Sequence, residues 1–384
     1  MPDTDVYERL IQRLRTWLFG LPDAEILMPL MQLRFSPAEA EFLCDFPFVP
    51  STMEQLRQRL GLPEETLKTA IKPFMAKGLI CAFEGKSGTR YAFTDQVFFL
   101  YRMPGWKGED DQWNRSMASL ANRYYVDHFG ADFMAHPTKG LRAIPIAQTI
   151  QDTRRILPYE DVLAYVERED YHTVSTCACR HRHNMDPAFE TCSHDTETCL
   201  HFGKLGYYTV QQGMGRRIAR EETLDILNKA ADAGLVHGIS NSKMGMDTIC
   251  NCCACCCLFL EPVKMPALVQ GKHQRSNYMI RHDSESCKAC GLCEKRCPVN
   301  AITLKDKRPA ATPEGGRKLT PKDLKEVAYD PDQCIGCGVC AHKCPTGSLT
   351  LMRRSEHEED IPATLSEIGR RFLMERGRDM AKVF

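Results

Sequence analysis

The first apolar periodicity along the chain is helical. Val6, Leu10, Leu14 and Leu18 recur at helical spacing, so residues 5–35 are expected to be helical. A second helix is predicted to open at Ser51, where Ser51 and Glu54 make a capping-box pattern. Met53, Leu56 and Leu60 share its face, and Gly61 ends it. Pro63 suits a helix start, with Leu67, Ile71 and Phe74 on one stripe before Gly78. LICAFEG, a KSGT turn and RYAFT then alternate as a hairpin.

Residues 103–140 are polar and read as a connecting stretch, and 141–170 hold an apolar run and a helix at 159–168. Residues 220–233 pattern as a helix with Leu224, Leu227 and Ala231 inward and Gly234 as its stop. Residues 362–384 read as an amphipathic, arginine-rich helix. Gly213-Met214-Gly215 begins like a dinucleotide loop but lacks the third glycine, so a turn before a helix is expected.

Charge changes the picture by exclusion. Lysine plus arginine is 50 and aspartate plus glutamate is 50, which argues against a bulk basic nucleic-acid binder. The outlier is cysteine, with 20 residues, all but Cys44 and Cys81 between Cys177 and Cys344. Charges interrupt the N-terminal segment, so no secretory signal is expected. No run approaches the ~18 apolar residues of a membrane span. A cytoplasmic location follows as an expectation, and thiols kept reduced there suit metal better than disulfides.

Cys287, Cys290, Cys293 and Cys297 are spaced C-x2-C-x2-C-x3-C before Pro298. Cys334, Cys337, Cys340 and Cys344 repeat that spacing before Pro345, and the flanks CPVNAITL and CPTGSLTL repeat with them. Short spacing lets a tight loop wrap one iron–sulfur cube, and Gly291, Gly336 and Gly338 permit close backbone approach. The two runs resemble the bacterial two-cluster [4Fe-4S] ferredoxins. That resemblance implies crossed ligation: Cys287, Cys290, Cys293 and Cys344 for one cluster, and Cys334, Cys337, Cys340 and Cys297 for the other. The stretch between the halves is long; its KDKRPAATPEGGRK segment reads as a protruding polar loop, followed by a short helix at 321–327.

Ten further cysteines lie in the middle of the chain: Cys177, Cys179, Cys192 and Cys199, then Cys250, Cys252, Cys253, Cys255, Cys256 and Cys257. Six thiols in eight positions are too many for packing. If Asp247 or Thr248 caps a helix, Cys250, Cys253 and Cys257 share a face. A third metal centre is expected from Cys177, Cys179, Cys192, Cys199, Cys250, Cys252, Cys253 and Cys256, holding either an iron–sulfur cluster or zinc. His172, His181, His183, His194 and His201 read as neighbours of such a centre rather than ligands, and Arg180, Arg182 and Lys204 as charges able to offset it. CACR followed by ICNCC resembles cysteine-rich segments of bacterial ferredoxin-domain proteins.

Helix, turn, helix and hairpin over 51–96 resemble a MarR-like winged helix-turn-helix. The expected fold class is therefore α+β and multidomain: a helical and winged-helix domain at 1–104, a Cys/His-rich domain at 105–270, a two-cluster ferredoxin domain at 271–354 and a terminal helix at 355–384. The function expected is electron transfer, alone or as a subunit of an oxidoreductase, with a redox partner protein. The sequence shows no catalytic residues and leaves the oligomeric state open. A redox-responsive DNA-binding regulator is the alternative. Against it, helix 64–77 carries Lys68, Lys72 and Lys77 but no arginine, and Pro73 interrupts it. A metal- or cluster-handling protein is a further alternative.

Overall fold

Val6, Leu10 and Leu14 are buried along one stripe of α1 (Pro2–Leu14), which packs on α2 (Leu27–Arg34) and α3 (Pro37–Asp45). The structure, a computed structural model, describes residues 2–85, 88–150, 160–260, 275–307, 318–354 and 360–378. β1 (Ser51–Thr52), α4 (Met53–Leu60), α5 (Glu64–Ala76), β2 (Ile80–Gly85) and β3 (Gly88–Phe93) follow, and the strands form a sheet in the order β1-β3-β2. The cap of α4 differs from the sequence expectation by one residue. Thr52 and Gln55 make the reciprocal capping box, because Ser51 is already paired in β1 and its hydroxyl donates to the Val49 carbonyl. Gly61 ends α4 in the left-handed conformation (φ 67°).

Residues 103–140 are not a polar connector. They hold α6 (Met103–Trp106), α7 (Gln112–Tyr124) and α8 (Gly130–Met134), with π-helical turns at Phe98–Arg102 and Tyr125–Phe129. Met117, Ala121 and Tyr124 give α7 a buried stripe, and its abundant surface polarity hid that stripe in the sequence. Close packing of α6 against the start of the helix at Ala178–Met185 depends on Gly105, where a Cβ would lie 2.7 Å from the Ala178 Cα.

The middle of the chain forms an antiparallel six-stranded sheet. In chain order come β4 (Leu141–Ala143), α9 (Val162–Arg168), β5 (His172–Thr176), α10 (Ala178–Met185), β6 (Glu197–Phe202), α11 (Gly203–Gln211), β7 (Arg216–Ile218), α12 (Arg220–Asp232), β8 (Val236–Ser240) and β9 (Thr248–Cys252). The strand order is β4-β8-β9-β6-β5-β7. Two sequence expectations fail here. Residues 248–252 are a strand and not a helix, since Thr248 and Ile249 pair with His201 and Leu200 on one side and Ile249–Cys252 with Val236–Ile239 on the other. The Gly213–Gly215 turn precedes β7 rather than a helix.

At the C-terminal end, β10 (Tyr278–His282), α13 (Leu292–Arg296), β11 (Ile302–Asp306), α14 (Pro321–Leu324), β12 (Lys325–Tyr329), α15 (Val339–His342) and β13 (Leu349–Arg353) form two small two-stranded sheets joined by short helices. β10 pairs with β13 and β11 with β12. The helix expected at 321–327 is thus one turn, and its remainder is strand. Most of the polar loop expected between the halves lies outside the described residues. α16 (Leu365–Glu375) closes the described chain, and no helix among the described residues is long and apolar enough to cross a membrane.

α16 docks through Arg376, which pairs with Asp132 at 2.7 Å, and through Glu375, which accepts from the Thr138 N–H at 3.1 Å. His136 lies in this junction beside Phe372, facing Asp132, Glu375, Lys139 and Arg376. Burial first, then the Arg376 charge, lowers its pKa from 6.5 to about 4. A depressed folded-state pKa gives stability that is present above 6.5 and lost as pH falls toward 4. The melting temperature should therefore fall over that window, and His136→Gln should reduce the slope. Melting curves of both proteins across the window check this; identical slopes contradict it.

Candidate metal centres

Strand order explains where the middle thiols meet. Cys177 follows β5, Cys199 is in β6, and Cys250 and Cys252 are in β9, so three adjacent strands deliver thiols to one end of the sheet. Within β9, alternation puts Cys250 and Cys252 on one face and Asn251 on the other. Cys179 enters from the first turn of α10 and Cys257 from the turn after β9. Together Cys177, Cys179, Cys199, Cys250, Cys252 and Cys257 line one cavity, with Cys253 also on its lining and Arg102 and Trp106 at its wall. The six thiols form a chain of neighbours: Cys177 to Cys179, on to Cys257, Cys252, Cys250 and Cys199.

The other four thiols form a second group, adjoining the first at Cys253. Cys192, Cys253, Cys255 and Cys256 have all their Sγ atoms within 4.8 Å of one another. Cys192 lies 3.9 Å from Cys253 and 3.6 Å from Cys255, and Cys255 lies 3.5 Å from Cys256. A tetrahedral zinc with Zn–S bonds of about 2.3 Å requires sulfurs about 3.8 Å apart. The observed separations match that edge. A cubane spreads its thiolates further, because each binds a different iron at a cube corner. Cys192 is held in place by its N–H, which donates to Asn184 Oδ1 at 2.8 Å. The eight middle cysteines expected from the sequence to share one centre are therefore divided between two groups. Cys255 and Cys257 complete those groups, a division that strand alternation through Cys250–Cys252 could have signalled.

Arg180 lies between the groups and is fully buried. Its Nη1 donates to Thr198 Oγ1 at 2.7 Å and to the Asp195 carbonyl at 2.5 Å, and its Nη2 donates to the Asn251 carbonyl. The charges of Cys177, Cys253 and Cys252 outweigh its burial and hold it protonated. Arg102 plays the same part on the other wall, with Nη2 3.9 Å from Cys250 Sγ; Cys250 and Cys199 hold its pKa up against burial. Hydrogen bonds from Cys255 and Cys256, then Arg180, favour the thiolate of Cys253. Those from Cys179 and Cys252 lower Cys257 to about 6. Crowded thiols with two buried guanidiniums are a donor set for soft metal ions.

Four of the five middle histidines are engaged elsewhere. His172 bonds Thr223 and the Glu169 carbonyl, His181 bonds the Glu109 carbonyl, and His201 contacts Thr248 and the Trp106 ring. The His183 ring lies tilted against Phe189, with centroids 4.8 Å apart. Arg182 reaches Asn122, whereas Lys204 is exposed. Of the remaining cysteines, Cys81 is a core residue whose thiol burial pushes up to about 12, and Cys44 is half-buried near Arg9 and Arg13.

In the C-terminal segment, Cys287, Cys290, Cys293 and Cys344 line one cavity together with Cys340. Cys297 lies in the field of Cys334, Cys337 and Cys340, and these four pack in one apolar cluster that also takes in Cys293 and Cys344. Gly291 (φ 80°) and Gly338 (φ 77°) open α13 and α15 in the same left-handed conformation. Backbone N–H groups point at sulfur: Ala289 to Cys287 at 3.3 Å, Ala301 to Cys297 at 3.2 Å and Gly336 to Cys334 at 3.4 Å. Burial opposes the Cys344 thiolate, but the Ser348 hydroxyl and the Thr346 N–H overcome it and bring the pKa to about 7. This cradle of thiols and aimed amides suits an anionic iron–sulfur cluster.

Residues 286–348 match the 4Fe-4S dicluster domain family. Comparison with curated proteins and with solved structures found no match. The dicluster domain is tied to the six-stranded sheet at several points. The Ile146 N–H, just after β4, donates to the Cys337 carbonyl at 3.2 Å. Arg296 donates to the Ala231 and Asp232 carbonyls at 2.9 and 3.0 Å, where α12 ends. Lys343 and His342 pair with Asp232 at 2.6 and 2.8 Å. One apolar cluster includes Ile146, Cys252 and Cys257 together with Cys334, Cys337 and Cys340.

Proposed function

We propose that this chain is an iron–sulfur electron-transfer protein that serves a redox partner protein, acting as the electron-carrying part of an oxidoreductase. Two [4Fe-4S] clusters would be held in crossed ligation, one by Cys287, Cys290, Cys293 and Cys344, the other by Cys334, Cys337, Cys340 and Cys297. When bound, such clusters supply one-electron transfer. The six middle thiols would hold a third iron–sulfur centre, and Cys192, Cys253, Cys255 and Cys256 would hold zinc. The observation that carries this reading is the continuous packing of Cys252 and Cys257 with the dicluster cysteines, reinforced by the Ile146–Cys337 hydrogen bond. Arg102 and Arg180 act here by offsetting thiolate charge, and the apolar packing between the groups excludes water. A reducing, cytoplasmic setting suits the number of free thiols.

The helices and hairpin at 51–93 are proposed as a winged-helix unit used for packing and protein contact. Lys68 is paired with Glu64 and Glu65 at 2.6 and 3.0 Å, and Lys77 with Glu39 at 2.5 Å, which leaves α5 a weak footprint for phosphate. Anaerobic titration with dithionite followed by EPR tests the electron-transfer reading. Uptake of at least about two electrons per chain, with iron–sulfur signals, is expected; a chain that takes up none contradicts it. For the zinc assignment, Cys192→Ser is expected to abolish bound zinc and leave iron unchanged by elemental analysis. Equal zinc in both proteins would contradict that assignment.

A further inference from the structure

A cleft of about 240 Å³ lies against the six-thiol cavity, where the N-terminal helices, the six-stranded sheet and α16 meet. Phe19, Val97, Phe133, Leu141 and Phe372 make its walls apolar, and Phe259 is shared with the thiol cavity. Its polar groups are few. Asp95, Asp247 and Ser240 line it, together with Arg102, which also lines the thiol cavity. Apolar walls with a few convergent polar groups at a junction of domains are the usual make-up of a small-molecule site. An apolar cavity of about 150 Å³ already holds benzene. The space here suits a one- or two-ring molecule.

We infer that this cleft binds a small, largely apolar molecule with one oxygen-bearing, hydrogen-bond-accepting head, and that the head faces Arg102, Asp95 and Asp247. The cation of Arg102 selects electron-rich oxygen and repels an ammonium. Its position is set from both sides: Nη2 approaches Cys250, and the guanidinium lies 4.8 Å from the Phe98 ring and 5.5 Å from the Trp106 ring. Burial pushes the Asp95 carboxyl up to about 6 and the Asp247 carboxyl upward as well, so each takes up a proton to donate more readily than a free carboxyl does. Asp95 is oriented by the Phe98 N–H at 3.0 Å, and Asp247 by the Ser240 hydroxyl at 3.3 Å. A molecule seated there would lie beside the six thiols with Arg102 and Phe259 between. The inference stands on the cleft and does not depend on which metal those thiols hold.

Gly369 of α16 gives the test a handle. It lines the cleft, and a Cβ there would stand 3.7 Å from Leu18 Cδ2, an ordinary contact. Gly369→Phe should therefore fill the space, whereas Gly369→Ala should leave it open. Calorimetry on the anaerobically purified, metal-loaded protein would use 2-naphthoate, 2-acetylnaphthalene and 2-naphthylmethylamine as probes. Saturable binding of the first two, with the amine weaker by about tenfold or more, is expected. Gly369→Phe should weaken 2-naphthoate by about tenfold or more, with iron and zinc content unchanged, and Gly369→Ala should not. If Gly369→Phe does not fold, Leu18→Trp, at the neighbouring lining position, should give the same loss. No saturable binding of either oxygen-headed probe, or native affinity in a folded filled variant, would overturn the site. An amine that binds as tightly as the naphthoate would overturn the acceptor-head assignment. Failure here leaves the electron-transfer reading intact, since that reading is judged on metal and electrons.

Discussion

Gly336→Ala is expected to cost the protein one cluster's worth of iron, about four atoms per chain. A Cβ at this position would fall 2.2 Å from both Ser276 Oγ and the Tyr278 carbonyl oxygen. The serine could rotate, but Tyr278 is the first residue of β10 and its carbonyl cannot move without breaking the β10–β13 pairing. The left-handed backbone (φ 68°) adds about 1–2 kcal/mol for any residue with a side chain. The Cys334–Cys337 loop must therefore shift, and the four thiols proposed to share that cluster, Cys334, Cys337, Cys340 and Cys297, are expected to lose their common geometry. Gly347→Ala is the control, because it has a similar φ (65°) and nothing within 4 Å of the new methyl. Only the smaller backbone strain is expected there, with iron unchanged. Iron analysis of the two variants beside the native protein decides the matter; equal iron in all three would contradict the assignment.

Arg180→Met should cause a loss at both middle thiol groups together. The side chain is fully buried and satisfies the Asp195 and Asn251 carbonyls and the Thr198 hydroxyl. Each of the two buried acceptors, on Thr198 and Asn251, costs about 1–3 kcal/mol when left without its donor. The total is a sizeable part of the stability of an ordinary domain, about 5–15 kcal/mol. Loss of the cation also leaves Cys253, Cys177 and Cys252 without their shared counter-charge. A lower melting temperature is expected, with loss of zinc and of the iron held outside the dicluster domain. Arg180→Lys keeps the charge but not the three-way fork, so it should retain more metal than Arg180→Met while still melting early. A methionine variant with native metal content would show that Arg180 is only a structural filler.

These two positions also mark how far the sequence could be read. The ferredoxin-type runs were legible because the spacing of their cysteines is itself the geometry: a tight loop around one cluster needs only local chain. The helices at 53–60 and 64–76 and the following hairpin were legible for a similar reason, since Gly61, Pro63 and Gly78 punctuate short local elements. Residues 250–257 were not. Cysteine has no strong preference between helix and strand, and β9 is fixed by partners in β6 and β8 that lie far away or across a turn. Once β9 is a strand, Cys250 and Cys252 fall to one group, and Cys253, Cys255 and Cys256 turn away to meet Cys192. Arg102 was invisible for another reason. It is carried to the thiols by a π-helical turn in a stretch that reads as the end of one domain.

Anaerobic purification followed by iron, sulfide and zinc analysis tests the central claim most directly. Two cubanes, a further iron–sulfur centre at the six thiols and zinc at the four predict about 12 iron and one zinc per chain. About 8 iron with one zinc would remove the third cluster, and a chain that binds no sulfide-bearing iron would contradict the whole account.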